Sequence, residues 1–480
     1  MNLRQKAVRG VVWSVIQSWG SRVVSLVVFF LLARLLKPEA FGLVALAGVF
    51  VAFMEVFVDQ GFSTAIIQRH QLEVEHLNTA FWLNIGIGLL LTLFGITVAG
   101  AVANFFGQPQ LTLIIRWLSI GFLLNAFSSV QDAIFQRKFA YKALAVRSLL
   151  AGVISGVVGV TMAFMNFGVW SLVAQQLTHQ LSRGVVLWWA SDWRPSLNVS
   201  RKHFRELFSF GINIVGISIF NFINSKSDDL LIGYFLGNVA LGYYTIAYRL
   251  VVIATDLIRA ISQVAMPGFS TLQQEPERLQ RIFYVTTQLA TFVAFPVFFG
   301  LAALAPTLVQ SLLGVQWLQS IPVIQVLALT GIFHTMNSFN TAVIIAMGKP
   351  FWNLKIDFTN SICNIAAFAL VVHWGIVSVA VAYVICSYLF FPIYLWTVRK
   401  LINIKAAIYF RQFTAPIIAS LTMVSILLGT QYLLSHFVVS QVLLAICLVI
   451  GTVIYVLLII LLAPKLFQQV LNLVFSSGTN

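Results

Sequence analysis

The sequence predicts an all-α protein that crosses a membrane many times, on three observations: an apolar excess, the alternation of its basic connectors, and a weak internal repeat. Of 480 residues, 60% are hydrophobic and only 9% charged, and mean hydropathy is +0.93. A soluble domain has about a quarter of its residues charged. Apolar runs recur at the ~20-residue length of a membrane span, and about fourteen fit. The net charge of +15 does not mark a nucleic-acid partner. The basic residues are dispersed in short clusters between apolar runs, where they act as topology signals.

Taken in order, the spans fall near residues 11–33, 41–66, 79–104, 111–133, 145–166, 168–190, 207–236, 241–265, 283–305, 320–346, 354–373, 375–397, 412–434 and 440–463. Arg4, Lys6 and Arg9 before the first run resemble a signal peptide. That run is too long, contains Arg22 and shows no persuasive cleavage site, so it is read as a span. Every second connector is basic, and together these hold 22 of the 29 Lys and Arg residues. The intervening connectors, among them NFFGQPQ, NFG and HWG, hold none except Arg34 and Lys37 in the first. The positive-inside rule then predicts cytoplasmic N- and C-termini. Trp82, Trp117, Trp170, Trp352, Trp374 and Trp396 lie near span ends, as an interfacial belt requires.

LLARLLKPEAFGLVA from Leu31 aligns with LIGYFLGNVALGYYT from Leu231, sharing Leu31/Leu231, Leu36/Leu236, Ala40/Ala240 and Gly42/Gly242. With a two-residue shift, Glu75, Leu77 and Phe81 match Glu277, Leu279 and Phe283. Both copies sit at the start of a six-span unit, so the repeat is parallel. The predicted organisation is a six-helix lobe over 1–190, a cytoplasmic linker over 191–206, a second six-helix lobe over 207–400, and two extra transmembrane helices with a tail over 401–480.

The seventh span carries a polar seam. Asn213, Asn221, Asn224 and Asp228 fall within a wedge of roughly 80° at helical spacing, and Lys226 and Asp229 share their depth. Hydrocarbon offers no water to such groups, so the seam must face protein or a wet cavity. Arg22 occupies the matching depth in span 1, while spans 2 and 8 carry Glu55 and Asp59, and Arg249, Asp256 and Arg259. Each such charge costs ~2.5–3.5 kcal/mol on insertion scales. Two readings stand: the charges pair as bundle glue, Lys226 with Asp228 or Asp229 and Arg259 with Asp256, or they line a hydrated cavity. Arg34, Lys37 and Arg116 read as snorkelling residues at interfaces. Asn353, Asp357, Asn360 and Asn364 form a further polar stripe, either hydrogen-bonded between helices or cavity-lining.

No GxxxxGK[ST] loop and no soluble ATPase domain are present, so ATP hydrolysis is not the expected drive. None of the seven His residues has metal-ligand spacing, and Cys363, Cys386 and Cys447 sit inside apolar runs. Neither a cofactor nor a metal is expected.

With paired six-span units, a polar span 7 and two appended spans, the chain resembles the polysaccharide exporters of the multidrug/oligosaccharidyl-lipid/polysaccharide superfamily. Within that superfamily it looks like the colanic-acid and teichuronic-acid type flippases. The motifs are ARLLKPEAFG at Ala33–Gly42, NSKSDDLLIGYFLGNVALGYYTIAYRL at Asn224–Leu250 and VAMPGFSTLQ at Val264–Gln273. The resemblance implies a two-lobed, non-enzymatic transporter in the bacterial inner membrane. It would rock between inward-open and outward-open states to move an undecaprenyl-diphosphate-linked oligosaccharide, beside polysaccharide polymerase machinery. Arg22, Lys226, Arg249 and Arg259 would face the diphosphate, with Asn221, Asn224 and Asp228 toward the sugar. Glu55, Asp229 and Asp256 would couple to H⁺ or Na⁺, and the last two spans would shape a groove for the lipid tail. The rivals are an ion-coupled drug antiporter of the same superfamily, with twelve spans, and a membrane polymerase or ligase, which needs a long outer loop.

Overall fold

The computed structural model describes residues 3–58, 66–67, 72–138, 140–198 and 200–468. These contain the long helices α1 (Leu3–Leu35), α2 (Pro38–Val58), α3 (Val74–Phe105), α4 (Leu111–Arg137), α5 (Tyr141–Phe164), α6 (Val169–Ala190) and α7 (Arg201–Phe235). There follow α8 (Gly237–Thr271), α9 (Pro276–Leu308), α10 (Ile321–Ala346), α11 (Pro350–Val371), α12 (Ile376–Ile402), α13 (Thr414–Leu434) and α14 (Ser440–Leu462). Among the described residues, ten helices are long and apolar enough to cross a membrane by length and composition. The long helices outside that set are α1, α6, α7 and α8.

Span 2 was expected over 41–66; α2 is described as far as Val58, and residues 59–65 lie outside the described residues. The linker expected over 191–206 ends at Ser200, and α7 already includes Arg201–Glu206. After α9 the chain makes a π-turn, Val309–Leu313, followed by a 3₁₀ turn, Val315–Ser320. Gly314 between them has φ 106°, a conformation costly for a residue with a Cβ.

The chain divides into two compact units, Met1–Gly242 and Tyr243–Asn480. In the first, α3 packs on α4, α5 on α6 and α1, and α2 on α4 and α7. Small residues allow the α1–α5 approach: Gly156 on α5 leaves room that Val28 of α1 fills. The linker is pinned to the start of α3. Asn78 Nδ2 donates to Ser196 Oγ at 2.6 Å, Asn78 Oδ1 accepts from the Ser196 amide at 3.1 Å, and Trp82 Nε1 donates to the Ser196 carbonyl at 2.9 Å.

The repeat-matched glycines meet in this unit. A Cβ on Gly42 would overlap the Asn238 carbonyl oxygen, and one on Gly242 would overlap that of Pro38. Positions 200 residues apart therefore exchange one backbone contact reciprocally, at a crossing too close for any side chain. Gly42→Ala forces two backbones apart and is expected to lower the thermal unfolding temperature in detergent; an unchanged midpoint would show that the crossing is loose.

In the second unit α9 packs on α10 and α13, and α12 on α10 and α11. Pro296 and Pro306 lie inside α9. Each removes the N–H that would satisfy the carbonyl four residues earlier. Side chains take over both duties: Tyr455 of α14 donates to the Phe292 carbonyl at 2.6 Å, and Gln325 of α10 donates to the Ala302 carbonyl at 3.3 Å. The helix is thereby tied to its neighbours.

Candidate functional site

Within the first unit, the structure brings together four of the sequence-predicted site residues. Glu55 lies on α2; Lys226, Asp228 and Asp229 lie on α7, which packs against it. Phe53 and Phe222 mark the interface, their rings 5.3 Å apart. Lys226 Nζ pairs with Asp229 Oδ2 at 2.7 Å, one helical turn away. Asp228 Oδ1 accepts from the Asp229 amide at 2.9 Å. Glu55 and Asp228 also lie within electrostatic reach of Lys226. One lysine thus faces three carboxylates, and the surroundings of Lys226 are acidic where the sequence reading expected a cationic centre. Asn221 and Asn224 are exposed on the same helix. The Lys226–Asp229 pair is the contact that the pairing alternative named, made within one helix.

The other predicted residues lie on other helices. Arg22 is half-buried on α1, which packs on α5. Arg249 is exposed and Asp256 half-buried on α8, in the second unit. Asp59 and the side chains of Asn213 and Arg259 lie outside the described residues. Among the described residues no group of three or more His, Cys, Asp and Glu can hold a metal ion.

Sequence reasoning missed a buried ion cluster. Asp132 of α4 receives Arg147 of α5 on one carboxylate oxygen and Arg183 of α6 on the other. The Arg147 and Asp132 side chains are only 9% and 11% exposed, whereas Arg183 is 36% exposed. Arg147 and Arg183 had been read as topology charges. Asp132, an acid five residues before the end of its helix, was the available signal. The cluster ties three helices at one end of the unit, and Arg147 Nη2 also donates to Ser148 Oγ at 3.3 Å.

The α11 stripe is hydrogen-bonded. Asn353 Nδ2 donates to Asp357 Oδ2 at 2.6 Å, Tyr394 of α12 donates its hydroxyl to Asp357 Oδ1, and Asn364 Nδ2 donates to Asn360 Oδ1 at 3.4 Å. The Asn353 and Asn364 side-chain oxygens remain buried without partners, so the stripe is not saturated.

The second unit also holds a cavity of about 520 Å³ between α9, α13 and α14, lined by Phe292, Pro296, Gly300, Met423, Cys447 and Tyr455 among others. Its wall is almost wholly apolar. Both Pro296 and Gly300 of α9 line it, and Gly300 presents no side chain, the nearest atom to a Cβ there being the Met423 methyl at 3.7 Å.

Comparison with known proteins agrees with this architecture. The chain is 26% identical to the teichuronic acid biosynthesis protein TuaB of Bacillus subtilis (strain 168), covering 98% of this chain and 99% of the relative. It is 29% identical to the succinoglycan biosynthesis transport protein ExoT of Rhizobium meliloti (strain 1021), covering 97% and 95%. Among solved structures, the lipid II flippase MurJ in an inward closed conformation superposes with a TM-score of 0.76 at 14% identity, covering 95% of this chain and 100% of that one. Such a likeness fixes the fold and nothing finer. A family model described as polysaccharide biosynthesis protein matches residues 31–322, more than half of the sequence. A multi-pass helical membrane protein with the repeat, the polar seventh helix and this match belongs to the polysaccharide biosynthesis protein family.

Proposed function

We propose that this protein is a flippase that moves an undecaprenyl-diphosphate-linked oligosaccharide across the bacterial inner membrane, by alternating access of lobes 1–190 and 207–400, with both termini cytoplasmic. The observation that carries this reading is the apolar cavity walled by α9, α13 and α14. Its volume and lining suit a stretch of isoprenoid chain, and two of its three walls come from the helices beyond the paired six-helix lobes. The drug-antiporter reading leaves those two helices without a use.

In this reading the diphosphate takes the place of Asp229 as the partner of Lys226. A doubly charged group gives shorter and stronger hydrogen bonds to an ammonium than one carboxylate does. Arg22, Arg249 and Arg259 supply further positive charge, and Asn221, Asn224 and Asp228 meet sugar hydroxyls. Of the acids assigned to H⁺ or Na⁺ coupling, Asp229 is held by Lys226 at rest, whereas Glu55 and Asp256 are assigned no other duty. Asp357, held by the neutral amide of Asn353 and the hydroxyl of Tyr394, joins them as a fourth candidate.

Deleting the gene and measuring lipid-linked intermediates by mass spectrometry tests the function. A complete undecaprenyl-diphosphate-linked repeat is expected to accumulate; unchanged intermediates would refute it. Gly300→Phe tests the groove by filling it. Polysaccharide export is expected to fall by an order of magnitude at unchanged protein level, and normal export would empty the groove of meaning.

A further inference from the structure

A second cluster of cations, at the ends of α11 and α12 in the second unit, is built differently from the polar seam. Lys400, in the last turn of α12, holds its Nζ 5.3 Å from the ring centre of Trp352 on α11 and 5.6 Å from that of Trp396. Lys349, just before α11, places its Nζ over the same Trp352 ring at 5.7 Å. Lys355 lies over Phe351 at 4.8 Å. Among the described residues no acidic side chain pairs with any of these three lysines. Trp396 and Phe351 are 61% and 60% exposed, so the platform is open.

Cation–π contact holds an ammonium in place without neutralising it. Two like charges gathered on one indole repel each other, and an anion seated between them removes that cost. Exposed tryptophan and phenylalanine around the cations place the platform at a membrane–water boundary, where amphipathic rings settle. An inorganic phosphate would use the ammonium groups alone. A phospholipid uses both parts of the platform, its phosphodiester on the lysines and its glycerol and upper acyl carbons against Trp396 and Phe351.

We propose that Lys349, Lys355 and Lys400, with Trp352 and Trp396, form a docking site for the headgroup of an anionic phospholipid at the α11–α12 boundary. The site stands independently of the transported cargo. Basic pockets between membrane helices bind anionic headgroups with about fivefold in affinity for each cation near the surface.

The test uses the full chain reconstituted in vesicles of equal parts phosphatidylglycerol and phosphatidylcholine, then extracted gently and analysed by native mass spectrometry. The wild-type protein is expected to retain phosphatidylglycerol in preference to phosphatidylcholine. Lys349→Ala with Lys400→Ala lowers the retained phosphatidylglycerol several-fold, Lys400→Arg keeps it, and Lys138→Ala, an exposed cation at the end of another helix, leaves it unchanged. Equal retention of phosphatidylglycerol by the double variant and the wild type would overturn the proposal. So would equal retention of the two lipids by the wild type, or a loss in Lys138→Ala as large as in the double variant.

Discussion

Lys226→Ala is expected to abolish surface-polysaccharide export while leaving the protein in the membrane. The side chain is one of a charged pair whose partner, Asp229, is 13% exposed, and Glu55 and Asp228 stand near it. Truncation removes the cation that these carboxylates stand beside. A charge-assisted hydrogen bond to a diphosphate contributes about 1.5–3 kcal/mol, so its loss alone slows transport by roughly ten- to a hundredfold. The double variant Lys226→Ala with Asp229→Ala separates two explanations. If Lys226 serves only to neutralise Asp229, removing both restores export. If it holds the headgroup, the double variant stays inactive. Export assays with immunoblots for protein level decide between these outcomes.

The largest effect on stability is expected from Asp132→Ala. Both of its oxygens are engaged by guanidinium groups, and the Arg147 side chain is 9% exposed. Removing the carboxylate strands a buried cation, which typically costs about 3–5 kcal/mol. The Arg183 contribution is smaller, because that side chain is a third exposed and solvent screens it. The expected readout is a lower yield of folded protein and a clearly reduced unfolding temperature in detergent. Replacing Asp132, Arg147 and Arg183 together with leucine removes the stranded charges along with their partner, and is expected to recover most of the loss. A triple variant as unstable as Asp132→Ala would show that the site needs its polar shape and not merely charge balance.

The helices and their order were legible because span length and connector charge are set by the bilayer and leave a strong trace in any sequence. The repeat was legible at Gly42 and Gly242 for a physical reason. Two backbones cross there with no room for a Cβ, so identity at those two positions reflects one contact seen from both sides. The pairing of Lys226 with Asp229 was legible as one alternative, since residues three apart share a helix face. The Asp132 cluster was not. Arg147 and Arg183 lie near helix ends, where basic residues are commonplace, and a tally by connector hides which of them turn inward. The support of α9 by Tyr455 and Gln325 was also illegible, because a proline announces an orphaned carbonyl but gives no hint of the distant side chain that satisfies it. The linker was misjudged at residues 201–206 because RKHFRE is polar enough to read as loop, although Arg, Lys and Glu are good helix formers and continue α7 outward.

The central claim is that this chain carries a lipid-linked sugar from one leaflet to the other. The direct measurement places purified protein in vesicles containing a fluorescent undecaprenyl-diphosphate-linked sugar and adds a membrane-impermeant quencher. Inner-leaflet lipid is expected to become accessible with wild-type protein, much more slowly with Lys226→Ala, and not when the diphosphate is replaced by a neutral headgroup. Quenching that stops at the outer leaflet, as in vesicles without protein, would contradict the claim.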